Sequence, residues 1–259
     1  MNETRTRGFG LVTGASGGIG EAFADILAAD GFELAIAARN EAELSRVKGV
    51  IAGKHSVPVT AFSLDLSERG ACDALAEALA ERGFVPDVVV NNAGFGLMGP
   101  AAALDRTEQL AMIDLNVRLV TDLSLRFLDS VQRRRGGILN TGSVAGFMPG
   151  PDLAVYHATK AYVVSFSEAL HWELKSKGVR VTALCPGPVE TEFQARAKMP
   201  LDYFPTLLKR SAARVAEEGY AGFMRGRRLI VPGVANKIAT FLPRIVPRAL
   251  TLRFARGRQ

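Results

Sequence analysis

The chain has 259 residues, of which 48% are hydrophobic and 22% are charged, and this ordinary globular composition excludes a disordered or collagen-like protein. With only two cysteines, the chain is not a disulfide scaffold, and its cysteines and three histidines do not have the spacing of metal ligands. No apolar run is long enough to predict a transmembrane helix. The formal net charge is +6, but residues 1–224 hold 23 basic and 26 acidic side chains, so the excess lies at the C-terminal end and does not indicate nucleic-acid binding.

Short apolar runs alternate with longer amphipathic segments along the chain. Parallel strands need crossover connections, which are usually helices. The alternation therefore predicts an α/β fold, a Rossmann-like doubly wound parallel sheet of about seven strands with helices on both faces. No linker divides it, so we expect a single domain over residues 1–259. The predicted strands are 9–12, 33–37, 57–62, 87–90, 137–141, 179–184 and 226–231, and the predicted helices are 18–29, 41–51, 67–82 with Ser67 as N-cap, 107–131 and 155–176.

A glycine-rich loop, TGASGGIG, joins the first predicted strand to the first predicted helix. Gly14, Gly18 and Gly20 allow a tight turn and a close approach of the backbone to a pyrophosphate, and the amides at the helix start face that anion. A loop without a ligand is the alternative, since a glycine pattern alone is a weak signal. The position between strand and helix favours a dinucleotide site that includes Ser16 and Ile19.

The end of the second predicted strand indicates the type of dinucleotide. An NAD site has an acidic side chain there for the ribose 2′-hydroxyl. Here the strand ends AARN, and Arg39 offers a planar cation suited to a 2′-phosphate. A solvated arginine is the alternative, but we predict NADP(H) because no carboxylate stands at this position.

Four polar side chains in the middle of the chain suggest a catalytic site: Asn116, Ser143, Tyr156 and Lys160. Tyr156 and Lys160 are four residues apart on one predicted helix and so share a face. A phenol is a poor base at neutral pH, and a neighbouring ammonium favours the phenolate. Ser143 could hold a substrate carbonyl, and Asn116 could polarise a water linked to Lys160. A Tyr-x-x-x-Lys pair alone is usually an ordinary helix surface, and we expect the adjacent His157 and, farther along, Cys185 to be structural.

In this order the motifs TGASGGIG, NNAG, Asn116, Ser143, YHATK and Pro186-Gly187 resemble those of the short-chain dehydrogenase/reductase family, over roughly residues 7–192. The resemblance implies hydride transfer with a nicotinamide cofactor and a tetrad of Asn116, Ser143, Tyr156 and Lys160. It makes Tyr156 the general acid in reduction and the base in oxidation, and it places Lys160 on the nicotinamide ribose. It also assigns further cofactor contacts: Asp65, Leu66, Asn92, Ala93, Gly94, Pro186, Gly187, Val189 and Thr191.

The end of the chain is less informative. Residues 192–224 fall where such enzymes place a substrate lid, although a helix pair packed on the core is an equal alternative. Residues 233–259 predict a basic amphipathic extension in which Pro243 and Pro247 break any long helix. Nine basic and no acidic residues follow position 224, which suggests an anionic membrane surface or an acidic partner. The extension could lie on a membrane, pack on a partner subunit or cover the substrate channel.

The leading hypothesis is an NADP(H)-dependent reductase of an apolar or acyl-type ketone or aldehyde, reversible to alcohol oxidation. A nucleotide-binding regulatory protein without turnover and a membrane-surface adaptor are the alternatives. The start of the chain has no secretory pattern, so we expect a cytoplasmic protein, associated with a membrane if the tail binds one. The resemblance implies a homodimer or homotetramer.

Overall fold

The computed structural model describes residues 7–197, 199–200 and 204–246. Seven strands form one parallel sheet in the order β3-β2-β1-β4-β5-β6-β7, which confirms the predicted doubly wound α/β fold. The strands are β1 (Gly8–Thr13), β2 (Phe32–Ala38), β3 (Val59–Ser63), β4 (Val88–Asn91), β5 (Gly137–Thr141), β6 (Arg180–Leu184) and β7 (Leu229–Ile230).

Helices cover both faces of this sheet. They are α1 (Gly18–Ala29), α2 (Glu41–Lys54), α3 (Ala71–Ala80), α4 (Arg106–Ile113), α5 (Leu119–Arg126), α6 (Leu128–Arg133), α7 (Ala154–Lys175), α8 (Glu192–Arg196), α9 (Ala212–Met224) and α10 (Val234–Ile245). None of the helices in the described ranges is long and apolar enough to cross a membrane.

The core lies on both sides of the sheet because successive side chains of a strand point to opposite faces. Leu11 and Val89 belong to the cluster on one face, and their neighbours Val12 and Val90 belong to the cluster on the other. All four side chains are at most 2% exposed. The chain order reverses between β1 and β4, and the carboxyl ends of these central strands flank the crevice where doubly wound folds bind ligands.

The predicted helix 67–82 is shorter than expected, and its N-cap is wrong. Helix α3 begins at Ala71 after Gly70, whose φ of 86° is left-handed. The hydroxyl and the amide of Ser67 instead bond to the carboxylate of Asp65, at 2.6 and 2.9 Å. Ser67 therefore closes a turn over Asp65 and does not start the helix.

The predicted helix 107–131 is interrupted. A π-helical turn, Asp114–Arg118, separates α4 from α5, and Phe127 separates α5 from α6. Hydrophobic periodicity did not indicate the π-turn, because one added residue barely disturbs the apolar pattern.

The C-terminal region departs from the prediction in two ways. The last strand is only Leu229–Ile230, and α10 runs through Pro243 instead of ending there, while Pro247 lies outside the described residues. Within the stretch 192–224, α9 packs against α1 and buries Val215 and Phe223 in the core. The second half of that stretch is thus a core helix.

Candidate functional site

The glycine loop after β1 adopts a backbone shape that other residues would not tolerate. Gly14 and Gly18 have φ values of +65° and +57°, in the left-handed region. A Cβ on Gly14 would lie 2.8 Å from the Cα of Ala93, and one on Gly20 would lie 2.1 Å from the carbonyl oxygen of Gly14. Gly20 therefore serves the packing of α1 beneath the loop, whereas Gly14 and Gly18 shape its surface.

The N-terminus of α1 is open toward the loop. Its N-cap, Gly17, supplies no side-chain hydrogen bond, and a Cβ there would meet nothing within 4 Å. Helix N-terminal amides without a side-chain partner attract anions through their N–H groups and the helix dipole. The cradle fits the pyrophosphate of a dinucleotide.

Thr13 is a site residue that the sequence analysis did not select. Its side chain is fully buried, and its Oγ1 accepts bonds from the amides of Asn92 and Ala93, both at 3.1 Å. The side-chain Nδ2 of Asn92 also donates to the carbonyl of Gly14 at 3.2 Å. Thr13 thereby fixes the turn after β4 against the glycine loop. Its place within the TGASGGIG motif was the available signal.

Opposite charges meet at the carboxyl ends of β2 and β3. Arg39 lies 3.5 Å from the carboxylate of Asp65. Burial raises the pKa of Asp65, but bonds from Ser67 and the charge of Arg39 outweigh it and lower that pKa overall. A second cation, Arg196, stacks on the ring of Phe95 at 4.0 Å. Loss of solvent lowers the pKa of Arg196, and the charge of Arg39 lowers it further.

Tyr156 stands on α7 at the end of the cavity nearest β5. Burial raises the pKa of its phenol to about 12, and a hydrogen bond with Ser143 acts in the opposite direction. Ser143 is 8% exposed and caps the 3₁₀ turn after β5, where its Oγ accepts a bond from the amide of Ala145 at 3.1 Å. The phenol is therefore fully protonated at neutral pH in the protein alone.

Lys160 lies one helical turn along α7, on the same side as Tyr156. Its Nζ is 5.9 Å from the centre of the Tyr156 ring and donates to the carbonyl of Thr141 at 2.8 Å. The residue is 5% exposed, and burial lowers the pKa of its amine to about 8. The expected lowering of the Tyr156 pKa is not produced by the protein alone, because burial outweighs the hydrogen bond with Ser143.

Asn116 lies in the π-turn, behind the cavity. Its Nδ2 donates to the carbonyl of Phe95 at 2.9 Å and to Oγ1 of Thr159 at 3.1 Å, and its Oδ1 accepts from the amide of Phe95 at 3.1 Å. A Cβ on Gly94 would lie 2.8 Å from that Oδ1 and 3.5 Å from Nζ of Lys160. The side chain of Asn116 thus ties the β4 turn to α7 beside Lys160.

Two residues next to the tetrad have structural partners. Nδ1 of His157 hydrogen-bonds the carbonyl of Met148 at 2.7 Å, and the ring packs against Gly150. Cys185 is fully buried, and burial raises the pKa of its thiol to about 12. The Cys185 thiol is therefore protonated at neutral pH.

One cavity of about 1020 Å³ connects these features. The glycine loop, Arg39 and Asp65 line one end, and Ser143, Tyr156 and Lys160 line the other. Of the residues selected from the sequence, Gly20 and Asn116 lie behind its wall. The others line it: Gly14, Ser16, Gly18, Ile19, Arg39, Asp65, Leu66, Asn92, Ala93, Gly94, Ser143, Tyr156, Lys160, Pro186, Gly187, Val189 and Thr191.

An apolar cluster continues the cavity beyond Tyr156. The Tyr156 and Phe193 rings are 5.4 Å apart, and a Cβ on Gly96 would lie 2.9 Å from Cζ of Phe193. The cluster consists of Leu153, Ala197 and Met199, with Met98, Tyr156, Phe193 and Phe204 packed against it. Within the described part of the chain, no group of histidine, cysteine and acidic side chains could hold a metal ion.

Comparison with known proteins decides the family. The model of a family described as short chain dehydrogenase matches residues 10–201. The chain belongs to the short-chain dehydrogenase family. It is therefore an oxidoreductase of the carbonyl–alcohol class that works with a nicotinamide cofactor. Residues 202–259 lie beyond the matched part.

Two curated relatives illustrate the range of the family. The sulfoacetaldehyde reductase of Chromohalobacter salexigens is 38% identical over 186 residues, which cover 71% of this chain and 73% of that protein. The very-long-chain 3-oxoacyl-CoA reductase of Mus musculus is 35% identical over 198 residues, 74% of this chain. The match spans only 62% of the mouse protein's length.

Two solved structures share the fold. A short-chain dehydrogenase from Sphingobium yanoikuyae in complex with NADPH has a TM-score of 0.81 at 27% identity, covering 93% of this chain and 97% of that one. A short-chain dehydrogenase/reductase from Burkholderia phymatum in complex with NAD has a TM-score of 0.80 at 26% identity, covering 93% and 94%. The two neighbours differ in cofactor.

Proposed function

We propose that the protein is an NADP(H)-dependent carbonyl reductase in which Tyr156 donates the proton. The observation that carries this proposal is the position of the Tyr156 phenol beside Ser143 in a cavity that also holds the glycine loop; burial raises the pKa of that phenol to about 12. Making that phenol a base at neutral pH would require about 7 kcal/mol of differential stabilisation. The proposed reaction therefore uses Tyr156 as a proton donor.

The proposed preference for NADP(H) rests on charge. Arg39 and Arg196 both line the cavity at the end marked by Asp65, and each cation is close enough to act on the other. A 2′-phosphate would relieve this repulsion and accept charge-assisted bonds from the guanidinium of Arg39. The 2′-hydroxyl of NAD offers no such compensation.

The chain's own residues perform the proton chemistry of the proposed reaction. A bound nicotinamide supplies the hydride. Ser143 holds the substrate carbonyl oxygen, and Tyr156 donates its hydroxyl proton to that oxygen as the alcohol forms. Lys160, whose amine has its pKa lowered by burial to about 8, returns a proton toward the phenol, while Asn116 fixes the strand-four turn beside it. A water held at Asn116 completes the proposed relay.

We propose an apolar or acyl-type ketone or aldehyde as substrate. The rings of Tyr156, Phe193 and Phe204 and the side chains of Leu153 and Met199 enclose the catalytic end of the cavity. Such a wall excludes water and favours the binding of a substrate with a hydrophobic tail. We further propose that the residues near α8, about 192–208, act as the substrate lid. We propose a cytoplasmic homodimer or homotetramer that touches membranes through its basic tail.

The cofactor proposal is tested by Arg39→Ala. With a carbonyl panel and the near-ultraviolet absorbance of the reduced cofactor as readout, we expect the KM for NADPH to rise about tenfold or more and the KM for NADH to change less than about twofold. Arg214→Ala is the matched control, since Arg214 is an exposed cation paired with Glu217 outside the cavity. Equal losses with both cofactors would show that Arg39 does not contact a 2′-phosphate.

The same assay tests the reductase itself. Oxidation of NADPH that depends on an added apolar ketone or aldehyde supports the proposal. Tight NADPH binding without turnover over the whole panel would contradict it and favour a nucleotide-binding regulatory role.

A further inference from the structure

Helix α10 has two faces of opposite character. On the inner face, Asn236 and Thr240 are 1% and 6% exposed. The side-chain amide of Asn236 donates to the carbonyls of Leu208 and Pro232, at 3.1 and 3.0 Å, and so fixes the helix to the body of the protein. On the outer face, four large apolar side chains are exposed: Val234 68%, Ile238 58%, Phe241 58% and Leu242 47%.

The spacing of these four residues makes a continuous apolar stripe. Positions i, i+4, i+7 and i+8 of a helix lie within about 100° of one another. Lys237, also exposed, lies at the edge of the stripe. Single exposed apolar residues are common on protein surfaces, but a whole helix face of them marks an interaction site. We call this surface, Val234, Ile238, Phe241 and Leu242, the outer face of α10.

The charge of the sequence segment that contains α10 indicates what the outer face binds. The sequence from residue 225 onward holds nine basic residues and no acidic one, whereas residues 1–224 carry a net charge of −3. An apolar stripe beside concentrated positive charge is the pattern of helices that lie in the interface of an anionic bilayer. A symmetric contact of this segment with its own copy would instead supply no acidic partner for its cations, which is unfavourable.

We propose that the outer face of α10 docks on the surface of an anionic lipid bilayer. The four apolar side chains insert among the acyl chains, and Lys237 at the edge of the stripe meets the lipid phosphates. The inner hydrogen bonds of Asn236 hold the helix in this orientation without requiring it to leave the protein.

Docking would also place the cavity beside the bilayer. Leu242 belongs to the outer face and lines the cavity as well, together with Ala239, Pro243 and Val246 of the same segment. The mouth of the cavity therefore shares an edge with the docking surface. If the proposed reductase function holds, its substrate is a long-chain carbonyl compound that enters from the membrane.

The docking proposal is tested by flotation of the full chain with vesicles. We expect binding to phosphatidylcholine vesicles that contain about one third phosphatidylglycerol, and none to pure phosphatidylcholine. The double variant Ile238→Ser/Phe241→Ser should lose binding by about tenfold or more. The matched control is Leu110→Ser/Leu125→Ser, which removes two exposed apolar side chains, 45% and 51% exposed, elsewhere on the surface.

Three results would overturn the docking proposal. The first is equal flotation of the wild type and the Ile238→Ser/Phe241→Ser variant, and the second is no flotation of the wild type. The third is light scattering without vesicles in which this variant, but not the control, dissociates into a smaller species, because a second copy would then be the occupant of the outer face.

The substrate proposal has its own readout. Neither Ile238 nor Phe241 lines the cavity, so the double variant should reduce a short, water-soluble ketone at the wild-type rate. It should reduce a long-chain ketone carried in anionic vesicles at least about fivefold more slowly. Equal rates on the vesicle-borne ketone would contradict delivery from the membrane. Absence of turnover with either ketone would contradict the reductase function and leave the flotation result standing.

Discussion

Burial shifts the pKa values of Tyr156 and Lys160 in opposite directions. It raises the pKa of Tyr156 to about 12 and lowers that of Lys160 to about 8, because both charged forms lose their water. The phenol stays protonated and the amine gives up its proton easily. A proton donor and a group that can exchange protons near neutral pH thus lie side by side, as the proposed donation from Tyr156 requires.

The lowered pKa of Lys160 predicts how the stability of the protein depends on pH. Unfolding restores the pKa to its ordinary value of 10.5, so between pH of about 8 and 10.5 the unfolded chain binds the extra proton. Stability then rises with pH through that window, and the cost of the buried ammonium, up to about 3 kcal/mol, is fully present below it.

We expect the free energy of unfolding of the wild type to rise relative to that of Lys160→Met when the pH increases from about 7 to about 9.5. Urea unfolding at the two pH values measures this difference. Lys175→Met on the same helix is the control. Lys175 stacks on the exposed ring of Trp172, so this variant should show no such change. A pH-independent difference between wild type and Lys160→Met would contradict a lowered pKa.

At the scale of elements, the π-turn between α4 and α5 positions Asn116. The turn carries its side chain to the backbone of Phe95 and to Thr159, so one residue ties β4 to α7. Sequence periodicity cannot show this, because the interrupted helix keeps its apolar stripe and the added residue leaves no compositional mark. The sequence indicated Asn116 only through its place in the motif order.

Asn116→Ala should destabilise the protein by about 2–3 kcal/mol, since it leaves the amide and the carbonyl of Phe95 buried without partners. Chemical denaturation measures this loss. Gln109→Ala in α4 is the control. It also removes two bonds to backbone carbonyls, at 3.0 and 3.1 Å, but near solvent, and should cost less than about 1 kcal/mol. Equal losses in the two variants would mean that Asn116 has no special positioning role.

For the whole molecule, the sequence predicts the sheet and the ends of most strands, because parallel strands buried on both faces are near-continuous apolar runs. It also predicts the residues lining the cavity from Gly14 to Thr191, since the carboxyl ends of parallel strands converge at one edge. It does not predict the role of Arg196, which depends on how α8 folds back over Phe95. Nor does the sequence show that α9 packs in the hydrophobic core, because lid helices and core helices have the same apolar periodicity.

The sequence also does not show which face of α10 is exposed. Residues 234–245 have one amphipathic pattern in the sequence, and only the structure shows that the polar side, Asn236 and Thr240, faces inward. This reversal leaves the apolar side in solvent. Charge, by contrast, is visible in the sequence alone, and it already separated the basic C-terminal segment from the acidic body.

The most direct test of proton donation is single-turnover reduction of an apolar ketone by Tyr156→Phe, with NADPH binding measured separately by fluorescence. We expect the rate to fall by at least about 100-fold while NADPH affinity stays within about twofold of wild type. Tyr162→Phe is the control. It removes a hydroxyl from the same helix that bonds only Thr121 among the described residues, at 2.8 Å, and should keep the wild-type rate. A Tyr156→Phe variant that still reduces the ketone at the wild-type rate would contradict the assignment of Tyr156 as the acid.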